Sequence, residues 1–292
     1  ICVDQDKNVF FLVDNDGKFA AFMLNEEADK LISLKSDINA LFNSPVLGYN
    51  SKDDIVYQFW ANRDSHEVYY FDPKTDYAPT TAISSISWDD PNFPNIEGFG
   101  VWAAKCNFTM GPDGKMYSRM LGGNLVRIDV ENARGENLTN GDLVGTKDGS
   151  AYGLVFDPQD ENVFYFSNND KHCIYKYDLR TKECACWAGQ EGKSGYLDGP
   201  IGQAMFNKPG QMCVDSEGNI ILTDTENHCI RKITMSTGYV STLAGKPQNS
   251  GYVNGSAEDA QFKKPLGICI DNDDVMYIGD SENRAIRRLA VE

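Results

Sequence analysis

An all-β fold is what these 292 residues predict, on three observations. Shifting the sequence against itself by 56 residues aligns residues 194–233 with 250–289 without a gap, at 15 identities in 40 positions. The pairs include Gly195/Gly251, Tyr196/Tyr252, Phe206/Phe262, Pro209/Pro265, Asp215/Asp271 and Asp224/Asp280, and a fixed period of this length marks a stacked supersecondary unit. Each copy contains four short runs rich in β-branched and aromatic residues, separated by Asp, Asn and Gly, which read as four antiparallel strands. Weaker copies extend upstream, so that units begin near residues 1, 46, 104, 151, 210 and 266. Six repeated four-stranded sheets predict a single six-bladed β-propeller over residues 1–292.

The elements follow in order. The first unit opens on a strand-like Ile-Cys-Val-Asp, and Gly111 to Gly114 is a Gly-Pro-Asp-Gly hairpin turn of the third. In the fifth unit the strands fall at 211–215, 220–223, 230–235 and 239–244. Phe206 and Phe262 should wedge between neighbouring blades, and Pro209 and Pro265 should set the start of an innermost strand. The sixth unit has three strands and no counterpart of 239–244. Its edge would be open to association, so residues upstream of Ile1 are expected to supply the closing strand.

Composition removes several function classes. Twenty-seven Lys and Arg face 43 Asp and Glu, a net charge of −16, which disfavours nucleic acid and anionic membrane surfaces as partners because both select a dense positive footprint. No apolar run approaches the ~20 residues that span a bilayer. The chain opens without Met or a signal-type leader, as a mature piece or excised domain would.

Residues 189–292 carry the pattern Gly-Tyr-x-[Asp/Asn]-Gly, Ala-x-Phe-x-Lys-Pro, [Val/Ile]-Asp, Asp-x-Glu-Asn-x-x-Ile-Arg and Thr-Leu-Ala-Gly. This pattern resembles the NHL repeat. The whole chain is similar to the propeller portion of bacterial exported proteins in which an immunoglobulin-like IPT/TIG domain precedes an NHL propeller. The resemblance implies export to the bacterial cell surface or periplasm and a covalently linked upstream immunoglobulin-like domain, with the closing strand in the segment joining the two domains. NHL propellers include lyases, RNA-binding modules and ligand-sensing ectodomains, so it names no ligand. In amidating lyases with NHL-like propellers, zinc is held by His at the start of inner strands; the matching positions here, Gly210 and Leu266, carry none.

The side chains offer several candidate sites. Asp224 and Asp280 stand at the turn between second and third strands, where each carboxylate is expected to accept from backbone N–H groups two or three residues on. The alternative gathers Asp14, Asp224 and Asp280 as oxygen ligands for Ca²⁺ or Mg²⁺. His172 and His228 share a repeat position with Arg284, which suits a turn donor better than a zinc ligand. Cys2, Cys213 and Cys269 share another position, as do Cys173 and Cys229, and read as reduced core thiols. Cys184 and Cys186, at i and i+2 of one strand, are a conceivable redox pair.

The segment from Ser84 to Ala104 breaks the symmetry and is longer than a compact fold requires. It is expected to cross one face near the channel mouth. Trp88, Phe93, Phe99 and Trp102 would offer flat apolar faces there, with Asp89 and Asp90 as hydrogen-bonding groups; the alternative packs the aromatics inward as anchors. Trp60, Arg119, Tyr196 and Tyr252 would complete the rim. No catalytic triad or phosphate-binding glycine loop can be assembled. The function expected is a non-catalytic binding module for a carbohydrate or protein, with no resident cofactor. The alternatives are a lyase or hydrolase using a carboxylate-held divalent metal, and a structural scaffold.

Overall fold

Alternation of apolar and polar residues in short runs, interrupted every few residues by Asp, Asn or Gly, leaves antiparallel hairpins as the local solution. The computed structural model describes residues 1–15, 18–39, 46–61, 66–83, 86–89, 108–119, 124–139 and 152–290. Its fold is all-β, a six-bladed β-propeller of small sheets, and the chain divides into units Ile1–Leu143 and Val144–Glu292.

The first unit holds three sheets. Strands β1 (Cys2–Val3), β2 (Val9–Asn15), β3 (Lys18–Leu24) and β4 (Leu31–Asn39) pair in sequence order, as do β5 (Val46–Asn50), β6 (Ile55–Ala61), β7 (His66–Phe71) and β8 (Thr80–Ile83). The third sheet combines β9 (Ser87–Trp88), β10 (Thr109–Met110), β11 (Met116–Arg119), β12 (Leu125–Asp129) and β13 (Arg134–Asn137) in the order β10-β11-β12-β13-β9. One core cluster joins Phe10, Ala21 and Met23 to Leu47, Val56 and Phe71, and a second joins Tyr57 and Val68 to Phe108, Met116 and Val126. Each therefore spans two consecutive sheets.

The second unit repeats this scheme. Its sheets are β14 (Leu154–Phe156), β15 (Val163–Asn168), β16 (Cys173–Asp178) and β17 (Cys184–Gly189); then β18 (Gly199–Pro200), β19 (Pro209–Val214), β20 (Ile220–Asp224), β21 (Cys229–Thr234) and β22 (Tyr239–Ala244); then β23 (Pro265–Ile270), β24 (Met276–Asp280) and β25 (Ala285–Leu289). The fifth sheet is ordered β19-β20-β21-β22-β18, and the sixth has three strands among the described residues. Phe206 packs with Val155 and Tyr165 on one side and Ile220 and Leu222 on the other. Phe262 does the same with Ile221, Ile230, Ile268 and Ile278. Burying one such ring contributes about 1.5–3 kcal/mol relative to leaving it in water.

The repeated aspartates close the hairpins. Asp215 accepts from the Asn219 backbone N–H at 2.7 Å and Asp271 from that of Val275 at 2.9 Å, and Asp4 makes the equivalent bond to Asn8 at 2.8 Å. Gly111 accepts from Gly114 N–H at 2.9 Å, closing the turn that joins β10 to β11. The second strand of the fifth sheet and the turn after it are also tied to the first strand of the sixth. Thr223 Oγ1 donates to Leu266 O at 2.9 Å, and Thr225 Oγ1 to Pro265 O at 2.9 Å. A Cβ on Gly210 would lie 2.4 Å from Thr223 Oγ1 and 2.7 Å from Leu266 O. No side chain fits at Gly210 without a shift of the neighbouring backbone.

Candidate functional site

The connection from β17 to β19 and that from β22 to β23 each fold over a buried arginine. The Arg231 side chain is fully buried on β21. Nη1 donates to Asp224 Oδ2 at 2.8 Å and to Met205 O at 3.1 Å; Nη2 donates to Leu197 O at 3.0 Å and Asp198 Oδ1 at 2.6 Å. The guanidinium lies between the rings of Tyr196 and Phe206, 4.9 and 5.2 Å from their centroids. Fifty-six residues on, Arg287 repeats the arrangement with Asp280, Gln261 O, Val253 O and Asn254, between Tyr252 and Phe262.

This arrangement corrects the turn-pinning role expected for Asp224 and Asp280. Neither carboxylate caps the 3-10 turn that follows it. Asp224 Oδ1 instead accepts from Asn207 N–H at 2.7 Å and Asp280 Oδ1 from Lys263 N–H at 2.7 Å, seventeen residues back, while their second oxygens take the arginine and Asn227 or Asn283. With every oxygen engaged in the interior, these two carboxylates are not arranged as channel-mouth metal ligands. Among the described residues no three His, Cys, Asp or Glu side chains are grouped to hold a metal, and the side chain of Asp14 lies outside the described residues.

The histidines do more than donate in a turn. His172 and His228 have left-handed φ of 56° and 58° at the end of the turn. Each Nδ1 accepts a backbone N–H, from Lys208 at 3.1 Å and Lys264 at 3.2 Å. Their rings are acceptors that tie one sheet to the next connection, while their backbone N–H groups are the turn donors, to Asn169 O at 3.4 Å and Thr225 O at 3.2 Å. Burial holds His172 below its ordinary pKa, which keeps the ring neutral and Nδ1 able to accept.

A cavity of about 410 Å³ opens beside this network. Tyr196, Thr242, Lys246, Asn249 and Glu258 give it polar groups; Leu243, Ala244, Pro247 and Ala257 give it apolar wall. Its size is in the range of small-ligand sites. The network fixes two of its walls. Tyr196 Oη and Thr242 Oγ1 are 2.7 Å apart, and Asp198 Oδ2 accepts the Thr242 N–H at 3.1 Å. Lys246 pairs with Asp259 at 3.2 Å at the exposed lip.

The predicted site residues are dispersed. Tyr196 lines this cavity. Tyr252 is 61% exposed, because no strand equivalent to β22 lies beside β25 among the described residues. Arg119 is buried on β11. Trp60 is on β6, and Trp88 on β9, with side chains outside the described residues. Asp89 is exposed and accepts from Arg134 Nη2 at 2.9 Å. Asp90, Phe93, Phe99 and Trp102 lie outside the described residues. Ser87 and Trp88 pair in parallel with Arg134 and Gly135 of β13. The long segment therefore starts along the edge of its sheet opposite β10, rather than crossing a face there. Sequence reasoning missed Thr242, Lys246, Asn249 and Glu258. The signal available was Thr242, the polar residue of β22 whose neighbours form the Thr-Leu-Ala-Gly end of the repeat.

Burial raises the Asp224 carboxyl to about 6, with Arg231 opposing the rise. A raised folded-state value means the native state binds the proton more tightly than the unfolded chain. This group therefore adds stability as pH falls from about 7 towards 4, on the order of 3 kcal/mol at 1.36 kcal/mol per pK unit. Urea unfolding of wild type and Asp224→Asn across that range is expected to show the gap moving in favour of wild type at acid pH. A gap independent of pH would contradict it.

Comparison with known proteins places this arginine box within a recognised repeat. Residues 206–233 match the NHL repeat family, a span that holds Phe206, Asp224, Asn227 and Arg231. Protein SUPPRESSOR OF QUENCHING 1, chloroplastic, of Arabidopsis thaliana is 25% identical over 271 residues, covering 86% of this chain and 25% of that protein. This chain thus spans a quarter of that relative's length. A structural genomics protein of unknown function from Bacteroides thetaiotaomicron superposes with a TM-score of 0.77 at 21% identity, over 99% of this chain and 73% of its own. An auxiliary nutrient binding protein from the same organism gives 0.71 at 21%, over 96% and 68%. These two likenesses show the fold.

Proposed function

We propose that this chain is a ligand-binding NHL propeller whose connecting segments, rather than its blades, contact a carbohydrate or protein ligand. The observation that carries the reading is the cavity over the fifth sheet. Two of its walls, Tyr196 and Thr242, are preorganised by the buried network, and Lys246 and Glu258 supply opposite charges to one opening. Such a site suits a hydroxyl-rich or zwitterionic group, which can hydrogen-bond both charged side chains together with Tyr196, Thr242 and Asn249. The superposing nutrient binding protein supports a binding role in kind.

The aromatic segment belongs to the same proposal as a separate contact surface, with Trp88, Phe93, Phe99 and Trp102 stacking on sugar rings or partner side chains and Asp89 and Asp90 bonding beside them. Trp60 stays within it as a rim residue and Tyr252 is a contact candidate of the second unit, whereas Arg119, fully buried, is withdrawn from the rim. Export to a bacterial surface or periplasm, a single propeller domain, and an attached immunoglobulin-like domain rest on the repeat resemblance. No helix among the described residues is long and apolar enough to cross a membrane.

The test is a glycan array and a peptide array probed with wild type, Lys246→Ala/Glu258→Ala and Trp88→Ala. Both variants are expected to lose at least tenfold in capture at an unchanged melting temperature. Undiminished capture by the double variant would remove the cavity from the site; a lowered melting temperature in Trp88→Ala would make that residue an anchor.

A further inference from the structure

Two cysteines outside the proposed ligand site are brought together by an irregularity that the sequence does not announce. In the fourth sheet β16 pairs with β17 so that Cys173 faces Gly189 and Tyr175 faces Cys186, with a register shift between Ile174 and Tyr175. The shift places one extra residue, Trp187, on β17, and a bulge of this kind re-aims the side chains beside it. The Cys186 side chain leans along its strand until Sγ lies 3.8 Å from Gly189 O. Gly189 is the residue opposite Cys173, so both sulfurs stand at the same level of the ladder. Cys186, opposite Tyr175, and Cys173, two residues before Tyr175, lie on one face of the ladder as diagonal neighbours, near enough for the two thiols to interact. Cys173 is fully buried, whereas Cys186 is part-exposed.

We propose that Cys173 and Cys186 form a reversible peroxide-sensitive disulfide switch. The Cys186 thiolate attacks one oxygen of hydrogen peroxide, the O–O bond breaks, and Cys186 becomes a sulfenic acid as hydroxide leaves and takes up a proton. The Cys173 sulfur then attacks the Cys186 sulfur, its proton leaves with the departing hydroxyl as a second water, and a disulfide spans the two strands. Two thiols are oxidised and one peroxide is reduced to two waters. A dithiol reverses the step. Roles divide as exposure dictates: Cys186 is part-exposed and within reach of peroxide, which makes it the attacking group, while Cys173 is fully buried beside it and its pKa is raised by the neighbouring thiol and by burial. Cys213 and Cys229 are buried with raised values, and Cys2 is pushed up to about 12, so these have little thiolate. The pair is also not the i, i+2 pair that β17 suggests, since Cys186 has its partner across the ladder and not at Cys184.

The reduced full chain is treated with a small excess of hydrogen peroxide, blocked with N-ethylmaleimide, and digested with trypsin. Cleavage separates residues 172–176, with Cys173, from residues 183–193, with Cys184 and Cys186. The expected product is a dithiothreitol-reversible link between these two peptides, assigned to Cys186 by fragmentation, with two fewer of the eight thiols titrating. Cys173→Ser should leave a dimedone-reactive sulfenic acid at Cys186, and Cys186→Ser should slow oxidation of Cys173 at least tenfold. A Cys184–Cys186 link, scattered oxidation over all thiols, or no linked product would each overturn the proposal. If the serine variants fail to fold, the wild-type map alone still decides between these results.

Discussion

Arg231→Ala is expected to destabilise the fold by about 3–5 kcal/mol, the cost typical of breaking a buried ion pair from one side. The reasons are additive in kind. Four hydrogen bonds disappear, two of them to carboxylates, and the Tyr196 and Phe206 rings lose the cation that fills the space between them. Asp224 is then left fully buried beside Asn227 and the Asn207 N–H alone. Its raised pKa lets it protonate, which limits the loss at acid pH and not at pH 8. Arg231→Lys should rescue little, because one ammonium cannot reach two carboxylates and two carbonyls fixed in a fork. Arg287→Ala should cost less, about 1–3 kcal/mol, since Arg287 is 8% exposed and has neutral Asn254 where Arg231 has Asp198. Urea denaturation of the three variants checks the ranking, and a loss below about 1 kcal/mol for Arg231→Ala would show that the box does not hold the connection down.

Phe206→Ala is expected to cost about 3–5 kcal/mol as well, by a different route. The ring is fully buried between the fourth and fifth sheets. Collapse around the vacancy is hindered because one wall is backbone: Phe206 Cδ2 would stand 2.9 Å from a Cβ on Gly189, so the ring packs against main chain there. Combined with Arg231→Ala the two losses should sum to less than the separate values, since the residues share one contact 5.2 Å from ring centroid to guanidinium. Calorimetry or denaturant titration of the double variant reads this. Full additivity would mean the ring and the guanidinium act independently.

Much of this was legible because the packing repeats whenever the sequence does. The offset that aligns Phe206 with Phe262 and Pro209 with Pro265 places both phenylalanines between sheets and both prolines at the start of a first strand. Asp224 and Asp280 read as turn formers, yet it is the repeated pair Asp215 and Asp271 that closes a turn. Asp224 instead serves an arginine seven residues on and a backbone N–H seventeen residues back. Those separations are set by where a connection folds, and strand patterning does not encode them. Tyr196 was expected at a rim, and its ring lies on Arg231 while its hydroxyl reaches Thr242. The cysteines show the same boundary. Periodicity puts Cys184 and Cys186 on one side of β17, and a single bulge hands Cys186 to Cys173 instead.

The hydrogen bond from each Lys N–H to the histidine of the preceding copy has a consequence for how such chains change length. His172 to Lys208 and His228 to Lys264 span the same 36 residues, and Asn227 to Gly195 O and Asn283 to Gly251 O the same 32. Excising one whole 56-residue period would hand each donor to an identical acceptor one copy earlier. These two links are thus blind to copy number: loss of a period between equivalent residues leaves both in place, and selection for a particular number of blades must act through some property other than them.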